Sequence, residues 1–510
     1  MTTQCVLYSN RLPIDIDANG TAQQQAKGGV AGALVNGLPD VPWVGPGSQA
    51  LANHVRDNDG YGVPEEGTPR QLGVMEIEGE ADPSSTYNLF YGAEQGGACN
   101  PDLWFDLHGL YQKGSERDPN HYPPPDYGPL EDPWLHSKWQ AYEKINSAYA
   151  QLAIQYAGDK TVFLGQDYQV MRTPLHIRRL MEARSPKEMF TLEQFLHTPL
   201  PPPQQMMLPG AIRSRLLEGL FANDLIGVQR AQDRDNLLEH VTEVLHWPID
   251  NDERVQTPDG RQVAIYHYFI GPDPTRFAEI VSDHEVLNAR NELFRKIPRG
   301  TQWLWSIVAR LDPTKAIAPL LKALRARATT GEHTVMLLSE SREKIPEYRD
   351  YRRAVETLHG EIVKDAADSG VPSPVTLLPF EENDALMLAL YGLTDGYLGC
   401  SMEDGHNLTP EEQALAQQGM IDKGKLSFSG SAAVRILSPS EGCTDKIGRW
   451  SIVCNPYRQE SILDAMNQAR ALSIDTKMEM QRKTVSAVRK FTVNHWLDQQ
   501  LRKRRLIGSW

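Results

Sequence analysis

The chain has 510 residues, too many for one hydrophobic core, so two or three domains are expected. Its 23% charged and 40% apolar residues are ordinary for a globular protein, and the net charge of -14 argues against a nucleic-acid or anionic-membrane partner. No apolar run reaches the roughly 20 residues a membrane span needs. The N-terminal M-T-T-Q-C-V-L-Y has neither the basic nor the apolar region of a signal peptide. Five scattered cysteines, with no C-x-x-C pair, read as free thiols of a reducing cytoplasm.

Residues 5–8 read as a short buried strand that runs into Ser9-Asn10-Arg11. The segment A-K-G-G-V-A-G-A-L, 26–34, places Gly28-Gly29 before a small-residue helix, where backbone N–H groups can approach a phosphate; the plain alternative is a turn. Residues 39–133 read as loop-rich, with short elements around Asn88-Leu89-Phe90 and Leu103-Trp104-Phe105. The proline run within 119–129 suits neither a helix nor a central strand. Apolar spacing predicts a helix over 134–156, a strand over 161–165 that ends at Gln166-Asp167-Tyr168-Gln169-Val170, and a basic helix over 176–181. A helix over 208–221, a strand over 224–228 and a hairpin over 254–269 turning at Asp259-Gly260 follow.

From about residue 275 strand and helix alternate: strands at 303–309, 334–339, 375–380, 396–400, 433–437 and 451–454, with helices between them. That pattern predicts a doubly wound parallel sheet. The stretch I-V-A-R-L-D-P-T-K, 307–315, reads as a buried strand, a tight turn and a helix start. It delivers Arg310 and Lys315 to the strand's carboxyl end, where open α/β sheets bind ligands. Two fixed cations there suit a diphosphate; two solvated surface charges are the plain alternative. The tail from Thr476 to Arg505 has a helical period, and Arg502 to Arg505 read as a solvated basic face. The expected architecture is two doubly wound, Rossmann-like α/β domains joined near residue 275 with a cleft between them.

Several stretches, in order, resemble the trehalose-6-phosphate synthase family, glycosyltransferase family 20. V-L-Y-S-N-R-L-P is similar to the family's V-V-S-N-R-L-P, and A-K-G-G-V-A-G-A-L to its G-G-L loop. F-L-H-T-P-L-P is similar to F-L-H-T-P-F-P. L-L-E-G-L-F-A-N-D-L-I-G-V-Q follows L-L-x-G-L-L-x-A-D-L-I-G-F-H, and V-A-R-L-D-P-T-K resembles V-D-R-L-D-Y-x-K. D-G-H-N-L-T-P-E-E resembles D-G-M-N-L-V-x-K-E, and V-C-N-P-Y resembles V-N-P-Y.

The resemblance implies the GT-B fold, with residues 1–275 binding the acceptor, 276–475 binding the nucleotide sugar and 476–510 forming a closing helix that packs back toward the first domain. It implies retaining transfer of a sugar from a nucleotide-diphospho-sugar, UDP- or GDP-linked, to a small phosphorylated acceptor. No cofactor, metal, nucleic acid or membrane is implied, and self-association is left open. Arg310 and Lys315 match residues that hold the diphosphate and stabilise the leaving group, with Asp404 beside them. Gly29, Gln166, Gly405, His406, Asn407, Leu408 and Thr409 match the nucleotide-sugar side, and Glu412 matches the glutamate that holds the ribose. Arg11, Gly28, Tyr87, Trp104, Asp167 and Arg342 are expected on the acceptor side.

The departures are specific. The family's H-D-Y-H-L is Gln166-Asp167-Tyr168-Gln169-Val170 here, so both histidines are glutamines, and R-D-G is Glu403-Asp404-Gly405. Glutamine keeps hydrogen bonding at these positions but carries no proton. The leading expectation is therefore a transferase with altered donor-sugar or acceptor specificity. The alternatives are a pseudo-glycosyltransferase that joins a nucleotide-linked cyclitol to an amino-cyclitol phosphate, and a non-catalytic nucleotide-sugar-binding homologue. Retention of Arg310, Lys315 and Glu412 weighs against the last.

Overall fold

The computed structural model describes residues 4–17, 19–24, 34, 38, 40–65, 68–77, 82, 84–111, 122–128, 130–184, 189–275, 277, 283–327, 330–339, 342, 344–378 and 384–506. The chain divides into two compact units. One takes the chain up to Ile270 and resumes at Val493; the other is built on Gly271–Thr492. No described helix is long and apolar enough to cross a membrane.

The first unit is organised on a nine-stranded sheet. From edge to edge it runs Val255–Gln256, Gln262–His267, Leu225–Val228, Met189–Leu196, Lys160–Gln166, Gln4–Tyr8, Trp43–Gly47, Arg70–Glu76 and Tyr61–Gly62. The two edge pairs are antiparallel and every other pair is parallel. Its central strands are apolar on both faces, as a covered parallel sheet requires: Val6, Leu7, Val162, Phe163, Leu192 and Ile226 are fully buried. The order reverses between Gln4–Tyr8 and Lys160–Gln166. Later strands add on one side and the Trp43 and Arg70 strands on the other.

The expected hairpin forms with Gly260 at φ +85°, but its second strand also pairs in parallel with Leu225–Val228 and extends the main sheet. The region 39–133 holds more than short elements. The strands Trp43–Gly47 and Arg70–Glu76 and the helix Gln49–Asp57 lie there, beside the anticipated helices Thr86–Tyr91 and Asp102–Leu107.

The second unit carries a six-stranded, all-parallel sheet in the order Val375–Leu377, Glu332–Ser339, Trp303–Arg310, Gly396–Gly399, Val434–Leu437, Ile452–Val453. Trp303–Arg310 is its spine. Trp303, Trp305 and Ile307 enter one core with Leu320, Leu321 and Leu324, while Leu304 and Val308 enter a second core with Leu388 and Leu390. The helix Ile317–Arg325 follows and buries Ile317, Ala318, Leu321 and Leu324, the spacing of one helical face. The order reverses between Trp303–Arg310 and Gly396–Gly399, so each sheet has a switch point where strand ends diverge and leave room for a ligand.

Two expectations for the tail change. It is two helices, Ile474–Lys490 and Val493–Leu506, separated at Phe491-Thr492, and not one. Its basic end is not wholly a solvated face. Arg504 is buried, with Nε and Nη2 on the two oxygens of Glu193, and Lys503 lies 4.5 Å from the Tyr266 ring centre, whereas Arg502 is exposed. Burial favours the fixed guanidinium–carboxylate fork, because a buried carboxylate needs a partner of this geometry.

Candidate functional site

The second unit's switch point gathers most of the expected diphosphate-side residues. Arg310 ends its strand and is exposed. The chain then turns through Asp312-Pro313-Thr314-Lys315. Buried Asp312 accepts from the N–H and the hydroxyl of Thr314 at 3.0 and 2.9 Å and fixes the turn. Ala316 takes the left-handed conformation at φ +53°, a strained way for a non-glycine residue to swing the chain into the following helix.

Lys315 is 11% exposed and its ammonium rests on Asp404 Oδ2. Met402 N–H donates to Thr314 O at 2.7 Å, which ties this turn to the loop after Gly396–Gly399. A ligand phosphate at Lys315 therefore meets a cation already partnered by an aspartate.

That loop is built around two buried carboxylates. Glu441 accepts from the Ser401 N–H at 2.6 Å and from Asn407 Nδ2. Burial raises its pKa, and Lys315 opposes the shift. Asn407 Oδ1 in turn accepts from the N–H and hydroxyl of Thr409 at 3.1 and 2.8 Å, starting the helix Thr409–Asp422. Glu412 lies in the first turn of that helix and is 7% exposed; Leu408 precedes it. Gly405 packs so closely on Gly442 (φ +73°) that a Cβ on Gly442 would sit 2.2 Å from Gly405 O.

Glu411 holds His406 Nε2 at 3.0 Å and Lys446 Nζ at 2.8 Å. Burial works against its charge, but Lys446 and His406 outweigh it and keep the carboxyl below the usual range. The His406 side chain is wholly buried on that carboxylate, so it shapes the loop from beneath; the sequence suggested ligand contact instead. Arg342, expected on the acceptor side, lies beside the Arg310–Lys315 turn. It donates to Asp312 at 3.3 Å and to the Tyr348 hydroxyl at 2.7 Å, from a backbone at φ +48°.

The first unit's switch point collects Arg11, Gln166 and Asp167, with Trp104 packed on the neighbouring Tyr168. Arg11 is exposed just past the strand Gln4–Tyr8, where Ser9 Oγ donates to Arg11 O and accepts from Trp43 Nε1, both at 2.8 Å. Tyr149 holds the neighbouring Asn10 at 2.9 Å. Gln166 ends its strand nearly buried.

Asp167 leaves that strand at φ +68°, held there because its carboxyl accepts the N–H groups of His197 and Thr198 at 3.1 and 3.2 Å. Burial pushes this carboxyl up to about 6 against those bonds. Trp104 is buried against His108 and Tyr168, with centroids 4.0 and 5.8 Å apart, and Tyr87 stacks on Tyr91 at 5.9 Å. Gly28 and Gly29 lie outside the described residues. The sequence reading missed Glu441 and Lys446, which lie in no matched stretch, Glu411, which sits inside the matched D-G-H-N-L-T-P-E-E, and Gln229, which closes the matched stretch L-I-G-V-Q.

The model of glycosyltransferase family 20 matches residues 104–505. UDP-forming alpha,alpha-trehalose-phosphate synthase 2 of Aspergillus niger is 27% identical over 507 residues, covering 96% of this chain and 94% of that protein. The bifunctional trehalose-6-phosphate synthase/phosphatase of Thermoproteus tenax is 25% identical over 514 residues, 96% of this chain and 62% of its own length. Among solved structures, a Burkholderia xenovorans alpha,alpha-trehalose-phosphate synthase in complex with glucose-6-phosphate matches with a TM-score of 0.76 at 19% identity, over 98% of this chain and 100% of that one. An E. coli structure bound with UDP-2-fluoro glucose matches with a TM-score of 0.75 at 19% identity, over 98% of both chains. At such identities these structures establish the fold alone.

Proposed function

The chain belongs to glycosyltransferase family 20, and from that membership we propose that it moves a sugar, with retention, from a nucleotide-diphospho-sugar to a phosphorylated sugar-like acceptor. UDP is the nucleotide to test first, because curated relatives at 25–27% identity are UDP-forming synthases. The observation that carries the reading is the second switch point. Arg310, Lys315 and the helix opening at Thr409 converge on strand ends of one sheet, and the hydrogen bond from Met402 to Thr314 fixes their spacing.

In this reading Arg310 and Lys315 bind the diphosphate and stabilise the charge that grows on it as the sugar leaves. Preorganised cations supply this without rearrangement at the moment of reaction. Asp404 partners Lys315 and tempers its charge when no phosphate is present. Glu412 binds the ribose hydroxyls. On the first unit Arg11 serves the phosphorylated acceptor and Gln166 the transferred sugar.

Gln166 and Glu403, in place of the family's histidine and arginine, favour a transferred sugar or acceptor that differs from those of trehalose-phosphate synthesis. The test is direct: UDP-, GDP- and ADP-sugars are mixed with a panel of sugar phosphates and release of nucleoside diphosphate is followed. Acceptor-dependent release with an α-linked product supports the reading. No release with any pair, under conditions where a family relative turns over, overturns it.

A further inference from the structure

Gln166 is 3% exposed at the end of its strand, and its Oε1 lies 2.9 Å from His197 Nε2. His197 Nδ1 lies 3.1 Å from Gln229 Nε2. Gln229 Oε1 accepts the backbone N–H of Ile270 at 3.0 Å. All four residues belong to the first unit.

The direction of this chain is set from its inner end. A backbone N–H only donates, so the Gln229 atom that meets it is the oxygen, and the amide NH₂ faces His197. An NH₂ group only donates, so His197 Nδ1 is the bare nitrogen and the ring proton sits on Nε2. Nε2–H then donates to Gln166 Oε1. A doubly protonated ring would press Nδ1–H onto the Gln229 NH₂. Phe195 and Trp496 flank the ring, with centroids at 4.8 and 5.9 Å, and hold its plane. Among the described residues no protein group meets Gln166 Nε2.

We infer that Gln229 and His197 are positioning residues that lock the Gln166 amide with its NH₂ toward the ligand, so that this position selects an oxygen acting as a hydrogen-bond acceptor. A sugar hydroxyl fits through a lone pair, and a phosphate oxygen fits equally. A protonated amine, which only donates, does not fit. The family patterns quoted above place histidine at both 166 and 229. An imidazole can reverse its polarity by moving a proton, and the glutamine pair cannot. The inference rests on the transferase reading for the identity of the ligand, but the direction of the relay does not.

The test has two arms, both on the full chain. Ring ¹⁵N spectra, assigned by loss of a signal in His197→Asn, are expected to show His197 as one neutral tautomer with the proton on Nε2. In Gln229→Glu the carboxylate accepts from Ile270 and draws a proton onto Nδ1. A wild-type Nδ1–H tautomer, or a bare Nδ1 in Gln229→Glu, overturns the relay.

In the kinetic arm Gln166→Glu keeps an oxygen for His197 but offers the ligand only acceptors. It is expected to raise KM for one substrate by about tenfold or more while the His197 tautomer stays put. Deoxy and deoxyfluoro analogues of the nucleotide sugar and of the acceptor phosphate identify the contacted group, since fluorine still accepts and hydrogen does not. Unchanged KM for both substrates in Gln166→Glu overturns the selection. Absence of any transfer by the wild type defeats the transferase reading instead, and the spectra still decide the relay.

Discussion

The two switch points solve the same geometric problem with different chemistry. In the second unit the strand ends are wired by charge: Lys315 on Asp404, Arg342 on Asp312, and Glu411 between His406 and Lys446. In the first unit the end at Gln166 is wired by neutral dipoles, from Ile270 through Gln229 and His197. Charge grips a diphosphate strongly, but it tolerates small changes in ligand shape and gains from every nearby anion. A directed amide supplies little energy and reads the polarity of one atom. The contrast therefore separates where binding energy comes from and where discrimination is made.

The largest effect is expected from breaking the charged wiring beneath the loop. Glu411→Ala removes the carboxylate that Lys446, its side chain 1% exposed, is paired with, leaving it the Phe491 carbonyl at 3.0 Å, and is expected to cost about 3–5 kcal/mol of stability, read from denaturation midpoints. A loss under about 1 kcal/mol would mean that water reaches this ion cluster and that the two units are less different than drawn. Arg310→Ala is next: Arg310 is exposed at the end of its strand, and the variant is expected to lose about a hundred- to a thousandfold in kcat.

A smaller, pH-dependent effect sharpens the first-unit side. Burial raises the folded pKa of Asp167 to about 6, so the native state holds that proton more tightly than the unfolded chain. Its contribution is full below the unfolded pKa near 3.8 and is lost as pH rises through about 6. Wild type is thus expected to gain stability over Asp167→Asn as pH falls from about 7 to 5, measured as the difference in urea midpoints. A flat difference contradicts the assignment. The smallest effect is the surface comparison: Asp368→Ala removes the 2.6 Å Lys364 pair, exposed at both ends, and is expected to change stability by about 0.5 kcal/mol or less.

The alternation of the second unit was readable because a buried parallel strand is a plain apolar run, as in W-L-W-S-I-V-A. The strand Trp43–Gly47 was not, because W-V-G-P-G reads as a turn. Its glycines serve close packing instead: a Cβ on Gly45 would sit 2.9 Å from both Leu12 Cγ and Ser9 O. The helix Ala231–His240 also went unread, since its polar face outweighs its apolar one.

Of the site, Arg310 and Lys315 were legible as strand-end residues, whereas Asp404 and Glu412 came only through the family resemblance. His197 is a satisfied histidine, with partners on both ring nitrogens. What sequence could not give is which residues meet across the fold. Gln166, His197 and Gln229 stand 31 and 32 positions apart, and Glu411 and Lys446 stand 35 apart. His406 is buried on Glu411 of its own motif, but the Lys446 that completes the cluster lies outside it.

The most direct measurement is the thermal unfolding of wild type and Arg310→Ala with and without UDP. A ligand that binds only the native state stabilises it by about 2.7 kcal/mol at a hundredfold excess over Kd. The expected result is a UDP-dependent rise in Tm for wild type that is lost in Arg310→Ala. No rise in wild type, or an equal rise in the variant, would contradict a diphosphate held at the second switch point.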